Sequence, residues 1–238
     1  MDWKTLANQL FPGGYEINEQ DLFLSGTAQV AGETVAVVGT TGHAPIGVEI
    51  ALAQARFILQ TVREHPGRAI MLLVDTVGQR LRHRDEMLGI NSYMAHLGKC
   101  VDFARRRGHR VIGLVYDQAL SGGFITSGLM ADACYALPES TIRVMALPAM
   151  ARITKVPEER LVELAGSNPV FAPGAENYLR MGGVQEIWSG DLAEQLETAM
   201  AAEHRSDERA ALGLWRGGRK LAKPVADAII SGSDVLAS

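Results

Sequence analysis

The chain has 238 residues, 47% of them hydrophobic and 21% charged, and 23 basic against 27 acidic side chains leave a formal net charge of −4. This composition excludes a disordered chain, a collagen-like repeat and a disulfide scaffold, and the acidic surplus argues against a nucleic-acid binder. At ~150 residues per domain the length allows one large domain or two small ones, able to bury roughly three quarters of the unfolded surface.

The opening segment, Asp2 to Asn18, shows no partner within the chain, and Phe11-Pro12-Gly13-Gly14 breaks any helix there. Two strand-like runs follow, Phe23–Val30 and Glu33–Gly39, and the two residues between them, Ala31-Gly32, predict a hairpin. After Gly42 to Pro45, a helix is expected with an apolar stripe at Val48, Leu52, Ala55, Leu59 and Val62. His65-Pro66-Gly67 ends it. Ala69 to Asp75 then reads as a strand buried on both faces. A loop is expected over Thr76 to Arg84, and a long helix from about Asp85 to Arg107 with Ile90, Met94, Leu97, Val101 and Ala104 on one side. Its basic last turn, Arg105-Arg106-Arg107, stands before Gly108, as a helix dipole and C-cap favour.

A second buried strand, Val111 to Tyr116, leads through Asp117-Gln118-Ala119-Leu120-Ser121-Gly122-Gly123 into a short helix, Phe124 to Met130. Two strand-like runs, ACYAL and TIRVMA, are joined by the turn Pro138-Glu139-Ser140, and helices are expected at Glu158–Leu164, Ala175–Arg180 and about Asp191 to Glu203. The alternation indicates an α/β fold with helices packed on a sheet. Cys100 and Cys134 sit in apolar stretches and read as core residues of a reduced, cytoplasmic protein. The N-terminus lacks the apolar run of a signal peptide, and the longest apolar run, Ala69 to Val74, is far too short to cross a bilayer.

The chemistry is expected at two glycine turns. Ser121-Gly122-Gly123 stands between a strand and a helix, where the first N–H groups lack helical partners and the dipole favours negative charge. Asp75-Thr76-Val77-Gly78 is a second glycine turn at the carboxyl end of a buried strand, where ligand crevices of open α/β sheets lie. Two such turns could aim amides at one carbonyl oxygen. Ser121 reads first as a turn hydroxyl, then as a substrate contact; as a nucleophile it would need a histidine partner that no motif supplies. Arg80, Arg82, His83 and Arg84 form a basic loop that is either solvated, a subunit contact, or a site for a phosphopantetheine phosphate or an acidic carrier protein. His43 reads as a surface turn residue and Asp75 as a turn-forming acid; Tyr116 and Asp117 flank the strand without a decided role. No histidine, cysteine or carboxylate cluster has metal-ligand spacing, so no metal is expected, and phosphate-loop and dinucleotide motifs are missing from the sequence.

The run LVDTVGQ, the long helix, and VIGLVYDQALSGGFITSGLMADACYALPESTIRVM resemble the carboxyltransferase branch of the crotonase superfamily. The order of elements is similar: a D-T-x-G turn, a long helix, an S-G-G turn, a short helix and a P-x-S turn. AENYLRMGGVQEIW resembles the helix and strand that close such subunits, so the wider fit runs from about Phe23 to Asp191. Within that branch the chain is most similar to the malonate decarboxylase gamma subunits. The resemblance implies a single crotonase-like (ClpP/crotonase) domain, a β-β-α superhelix over residues 1–238, with an N-terminal arm over 1–20 and a helical C-terminal extension over 190–238.

It also implies a beta-subunit partner of related fold, an acyl carrier protein subunit and an acyl carrier protein transferase subunit. The reaction implied is decarboxylation of a malonyl thioester to the acetyl thioester. The thioester would ride on the carrier's phosphopantetheine-type group, with no cofactor bound by this chain. Carried over by position, Gly122 and Gly123 fall on the oxyanion turn and Gly78 on the other glycine turn. Ser121, Val77, Gln79, Arg80 and Arg82 become the expected substrate contacts. Many carboxyltransferase subunits carry serine-proline-glutamate-glycine after the P-x-S strand, whereas this chain has Ala146-Leu147-Pro148-Ala149-Met150. That departure favours decarboxylation without biotin over a biotin carboxyltransferase; a non-catalytic scaffold is the third possibility.

Overall fold

The protein is described here by a computed structural model covering residues 1–165, 174–202, 207–218, 220 and 222–232. The segment expected to lack a partner is instead a helix, α1 (Trp3–Leu10), capped by Asp2, whose side chain accepts from the Lys4 and Thr5 amides. Trp3, Leu6, Ala7 and Leu10 are buried on one face of it, so residues 1–20 are no free arm. β1 (Tyr15–Gln20) follows and pairs antiparallel with β2 (Phe23–Val30), which pairs with β3 (Glu33–Thr40) through the expected hairpin. After β4 (Ala44–Ile46) comes α2 (Val48–Glu64). Its buried residues are Val48, Ile50, Ala51, Gln54, Ala55, Ile58 and Thr61; of the expected stripe Val48 and Ala55 are buried, Leu59 and Val62 half-buried, and Leu52 faces solvent. Sheet contacts on one side and a second helix on the other rotate α2 away from its most hydrophobic face.

β5 (Ile70–Gln79) runs through the expected loop, because Thr76, Gly78 and Gln79 pair with β4. The long helix is two: α3 (His83–Met87) and α4 (Ile90–Arg106), separated by Gly89 at φ 76°. β6 (Val111–Leu120) also runs past its expected end, so Ser121-Gly122-Gly123 opens α5 (Ser121–Ile125) rather than preceding it. A 3₁₀ turn at Gly128–Met130 replaces the rest of the expected short helix. β7 (Ala133–Ala136) and β8 (Thr141–Arg143) do not pair with each other, as the expected strand pair would. Both lie parallel to β6, one beside each half of it. The chain continues with α6 (Leu147–Thr154), α7 (Glu158–Ala165), α8 (Ala175–Arg180), β9 (Glu186–Ile187), α9 (Leu192–Ala201), α10 (Arg209–Trp215) and α11 (Ala222–Ser231). The expected C-terminal extension is helical where described; 203–206, 219, 221 and 233–238 lie outside the described residues.

The sheet runs β1-β2-β3-β5-β6-β7-β9, antiparallel over the first three strands and parallel beyond. Alternate residues of β5 separate its two faces. Met71 and Leu73 pack with α1 and α9, while Ile70 and Leu72 pack with α2 and α4. Burial on both sides explains why the strand is apolar throughout. Cys100 and Cys134 are buried free thiols, and burial pushes Cys134 up to about 12. No helix among the described residues is long and apolar enough to cross a membrane.

One feature positions the site. β5 and β6 are each paired twice: their first halves with β3 and β7, their second halves with β4 and β8. The β5–β6 register shifts between Val74 and Thr76, so both central strands change neighbours at Asp75 and near Asp117. Loops and turns that would be remote on a flat sheet meet at these breaks.

Candidate active site

The two glycine turns do come together. Gly78 has φ +92°, a conformation costly for any residue with a Cβ, and a Cβ built there would lie 2.8 Å from Ser121 Cβ. A Cβ on Gly123 would meet Ile46 Cγ1 and Thr76 Oγ1 at 3.0 Å and Gly78 Cα at 3.2 Å. A side chain is therefore strained at Gly78, and at Gly123 it would force its neighbours to shift. Ser121, at φ 54°, holds a left-handed backbone conformation that is unusual for serine.

The amides are disposed differently from the expected pair of donors. Gly78 N–H donates to Thr76 Oγ1 at 2.9 Å, and that hydroxyl donates to Ala44 O at 2.6 Å. The Gly78 amide is thus engaged within its own turn. Gly122 N–H, in the first turn of α5, donates to Gln79 Oε1 at 3.2 Å. A carboxamide oxygen already occupies this amide. Gly122 and Gln79 are half-buried and reachable, whereas Gly123 is buried. No hydrogen bond joins Ser121 to a histidine among the described residues; His43, His96 and His109 have their contacts elsewhere.

The basic loop divides. Arg80 Nε donates to Asp85 Oδ2 at 3.0 Å and its Nη2 to Glu49 Oε2 at 2.6 Å. Asp85, fully buried, also accepts from Val48 N–H. The Arg80 guanidinium holds the Asp85 carboxyl below the usual carboxylate range, and Asp85 in turn raises Arg80. Arg80 thus ties α2 to α3, with its guanidinium engaged by Asp85 and Glu49. Arg84 donates to Glu49 as well, while Arg82 is exposed at the start of α3. Val77 is 42% exposed beside Gly78, and Leu81, Met87, Leu88 and Ile125 are exposed on α3, the residues flanking it and α5.

A constellation that sequence spacing does not reveal stands at the strand breaks. His43, Asp75 and Asp117 are 32 and 42 positions apart in sequence, yet His43 Nε2 lies 3.2 Å from Asp117 Oδ1 and 3.8 Å from Asp75 Oδ1. Asp75 is buried and accepts from the backbone N–H groups of His43 and Gln118. Burial raises its carboxyl above the ordinary value, and those amides and the His43 charge oppose the rise. Tyr116, next to Asp117, donates to Thr40 O, and burial pushes its phenol well above the ordinary range. The available signal was topological: each of these residues follows or interrupts a strand adjacent in the sheet.

The malonate decarboxylase gamma subunit family profile matches residues 41–233. The chain is 31% identical to a malonyl-S-ACP:biotin-protein carboxyltransferase of Malonomonas rubra, over 82% of this chain and 78% of that protein. A Pseudomonas malonate decarboxylase hetero-tetramer in complex with coenzyme A contains a chain of the same fold, at TM-score 0.80 and 24% identity over 95% of this chain and 97% of that one. A transcarboxylase 12S core with methylmalonyl-coenzyme A and methylmalonic acid bound is similar at TM-score 0.70 and 20% identity over 83% of this chain, which spans 40% of that one. The expected crotonase-like carboxyltransferase fold is thereby borne out, and the chain belongs to the malonate decarboxylase gamma subunit family.

Proposed function

We propose that the chain acts with a beta subunit to decarboxylate a malonyl thioester carried on an acyl carrier protein. Gly122 N–H would receive the thioester oxygen in place of Gln79 Oε1. The carboxylate C–C bond breaks, CO2 leaves, and its electron pair delocalises onto the thioester oxygen as an enolate. Protonation of the α-carbon then gives the acetyl thioester. The observation that carries this reading is the reachable amide of Gly122 at the start of α5, already bearing a carbonyl oxygen at 3.2 Å. An oxyanion donor of this kind is worth ~2.7–4 kcal/mol, enough for about 10²–10³ in rate. No nucleophile is needed for such a step.

The exposed apolar side chains on α3, its flanks and α5 support a partner subunit seated against the turn. A Pseudomonas malonate decarboxylase MdcD-MdcE hetero-dimer, with a chain of the same fold at TM-score 0.75 and 24% identity, supports pairing with a partner subunit. We assign carrier capture to exposed Arg82 rather than to Arg80, with the phosphate of the phosphopantetheine arm as its target. The carrier and its transferase belong to this proposal.

Transfer of the carboxyl group to biotin is the second reading, favoured by the Malonomonas relative. Against it stands the segment after β8, where Ala146 precedes α6 and Met150 is buried in place of the serine-proline-glutamate-glycine run. The test is CO2 release from malonyl-carrier by the chain co-purified with its neighbouring subunits. Avidin-insensitive release supports decarboxylation; avidin inhibition supports the biotin route; normal turnover by an assembled Gly122→Val variant supports a scaffold.

A further inference from the structure

We infer that His43, Asp75 and Asp117 form a binding site for one divalent transition-metal ion, with zinc the ion best matched to the donors. One imidazole nitrogen and two carboxylate oxygens lie within 4.8 Å of one another. Zinc bonds of ~2.0–2.1 Å set tetrahedral ligand-to-ligand edges of about 3.3 Å. The distances from His43 Nε2 to Asp117 Oδ1 and Asp75 Oδ1, 3.2 and 3.8 Å, bracket that edge. A fourth position faces solvent, because the His43 and Asp117 side chains are 47% and 34% exposed.

The ligands are held from behind, as metal ligands require. Asp75 is fixed at both oxygens by backbone amides, His43 N–H at 2.8 Å and Gln118 N–H at 3.3 Å. The Gln118 side-chain amide lies 3.5 Å from His43 Nδ1. Turned to present its oxygen, it would accept the Nδ1 proton and leave Nε2 free to coordinate. The Met1 amino group lies 3.4 Å from Asp117 Oδ2 and leaves Oδ1 available. Thr76, next in sequence to Asp75, bonds instead to Ala44 O and Gly78 N–H at the glycine turn. The cluster thus has a partner set of its own, and the inference stands apart from the proposed activity. A bound ion would staple the β3–β4 connection to the breaks in β5 and β6.

The test titrates untagged full-length chain with Zn²⁺ by calorimetry, and with Co²⁺ followed by its visible absorption. We expect one ion per chain, tetrahedral cobalt bands, and a melting temperature raised by about 5 °C or more at saturating zinc. His43→Gln and Asp117→Asn, both half-exposed and confirmed folded by circular dichroism, should each weaken zinc at least tenfold and remove the cobalt bands. A wild-type chain that takes up no zinc at 1 mM overturns the inference. So does unchanged affinity in both variants, which would place the ion elsewhere.

Discussion

The side-chain oxygen of Gln79 and the backbone N–H of Gly122 meet at 3.2 Å across two elements 43 positions apart in sequence. A substrate carbonyl that uses this amide must displace Gln79. An intramolecular hydrogen bond is worth ~0.5–1.5 kcal/mol net, so Gln79→Ala should lower the KM for the malonyl-carrier by about 2–10-fold with kcat little changed. Steady-state kinetics on the assembled complex decide it. A KM that rises tenfold would mean that Gln79 binds substrate rather than standing in its place.

Gly122→Val should retain assembly and lower turnover at least tenfold. A Cβ at Gly122 meets first the end of the flexible Gln79 side chain, at 3.1 Å, so the fold can absorb it while the approach to the amide is obstructed. Gly123→Ala differs, because its Cβ meets Ile46, Thr76 and Gly78 at 3.0–3.2 Å and packing must shift. We expect it to lower the melting temperature as well as turnover. Gel filtration, thermal melts and CO2 release measured on both variants separate the two effects.

Arg82→Ala should raise the KM for the carrier while leaving kcat within twofold, since Arg82 is exposed and lies outside both glycine turns. An unchanged KM would remove Arg82 from carrier capture.

Arg80→Ala should cost about 3–5 kcal/mol of stability, because it leaves the buried Asp85 carboxylate without its guanidinium. The pairing also sets an acid limb. Asp85 has a depressed carboxyl pKa in the folded protein, so its contribution is full above the unfolded aspartate value of ~3.9 and is lost as pH falls through the folded value. Denaturant melts from pH 7 to 2.5 should show a flatter acid limb for Asp85→Asn than for wild type. Identical slopes would assign the acid sensitivity to other carboxylates.

Leu6→Ala should cost ~2–5 kcal/mol, the range for a fully buried leucine. A cost below 1 kcal/mol in urea denaturation would return α1 to the status of a detachable arm.

Much of the architecture was legible because it is local. The Ala31-Gly32 hairpin, the apolar runs of β5 and β6 and the heptad-like side of α4 follow from turn chemistry and periodicity, which act within a few residues. The motif order alone was enough to indicate the family, since Asp75-Thr76-Val77-Gly78 and Ser121-Gly122-Gly123 stand in fixed succession. Where local pattern and tertiary packing competed, packing won. α2 turned Leu52 outward to lie against the sheet and α4, and α1 formed because α9 and the sheet cover its apolar face. Partner choice was invisible as well. Only the folded chain commits Arg80 to Asp85 and Gly78 N–H to Thr76, and only the paired breaks of β5 and β6 bring His43, Asp75 and Asp117 together. Such contacts depend on which strand lies beside which, and that is settled by burial summed over the whole sheet rather than by any short stretch of residues.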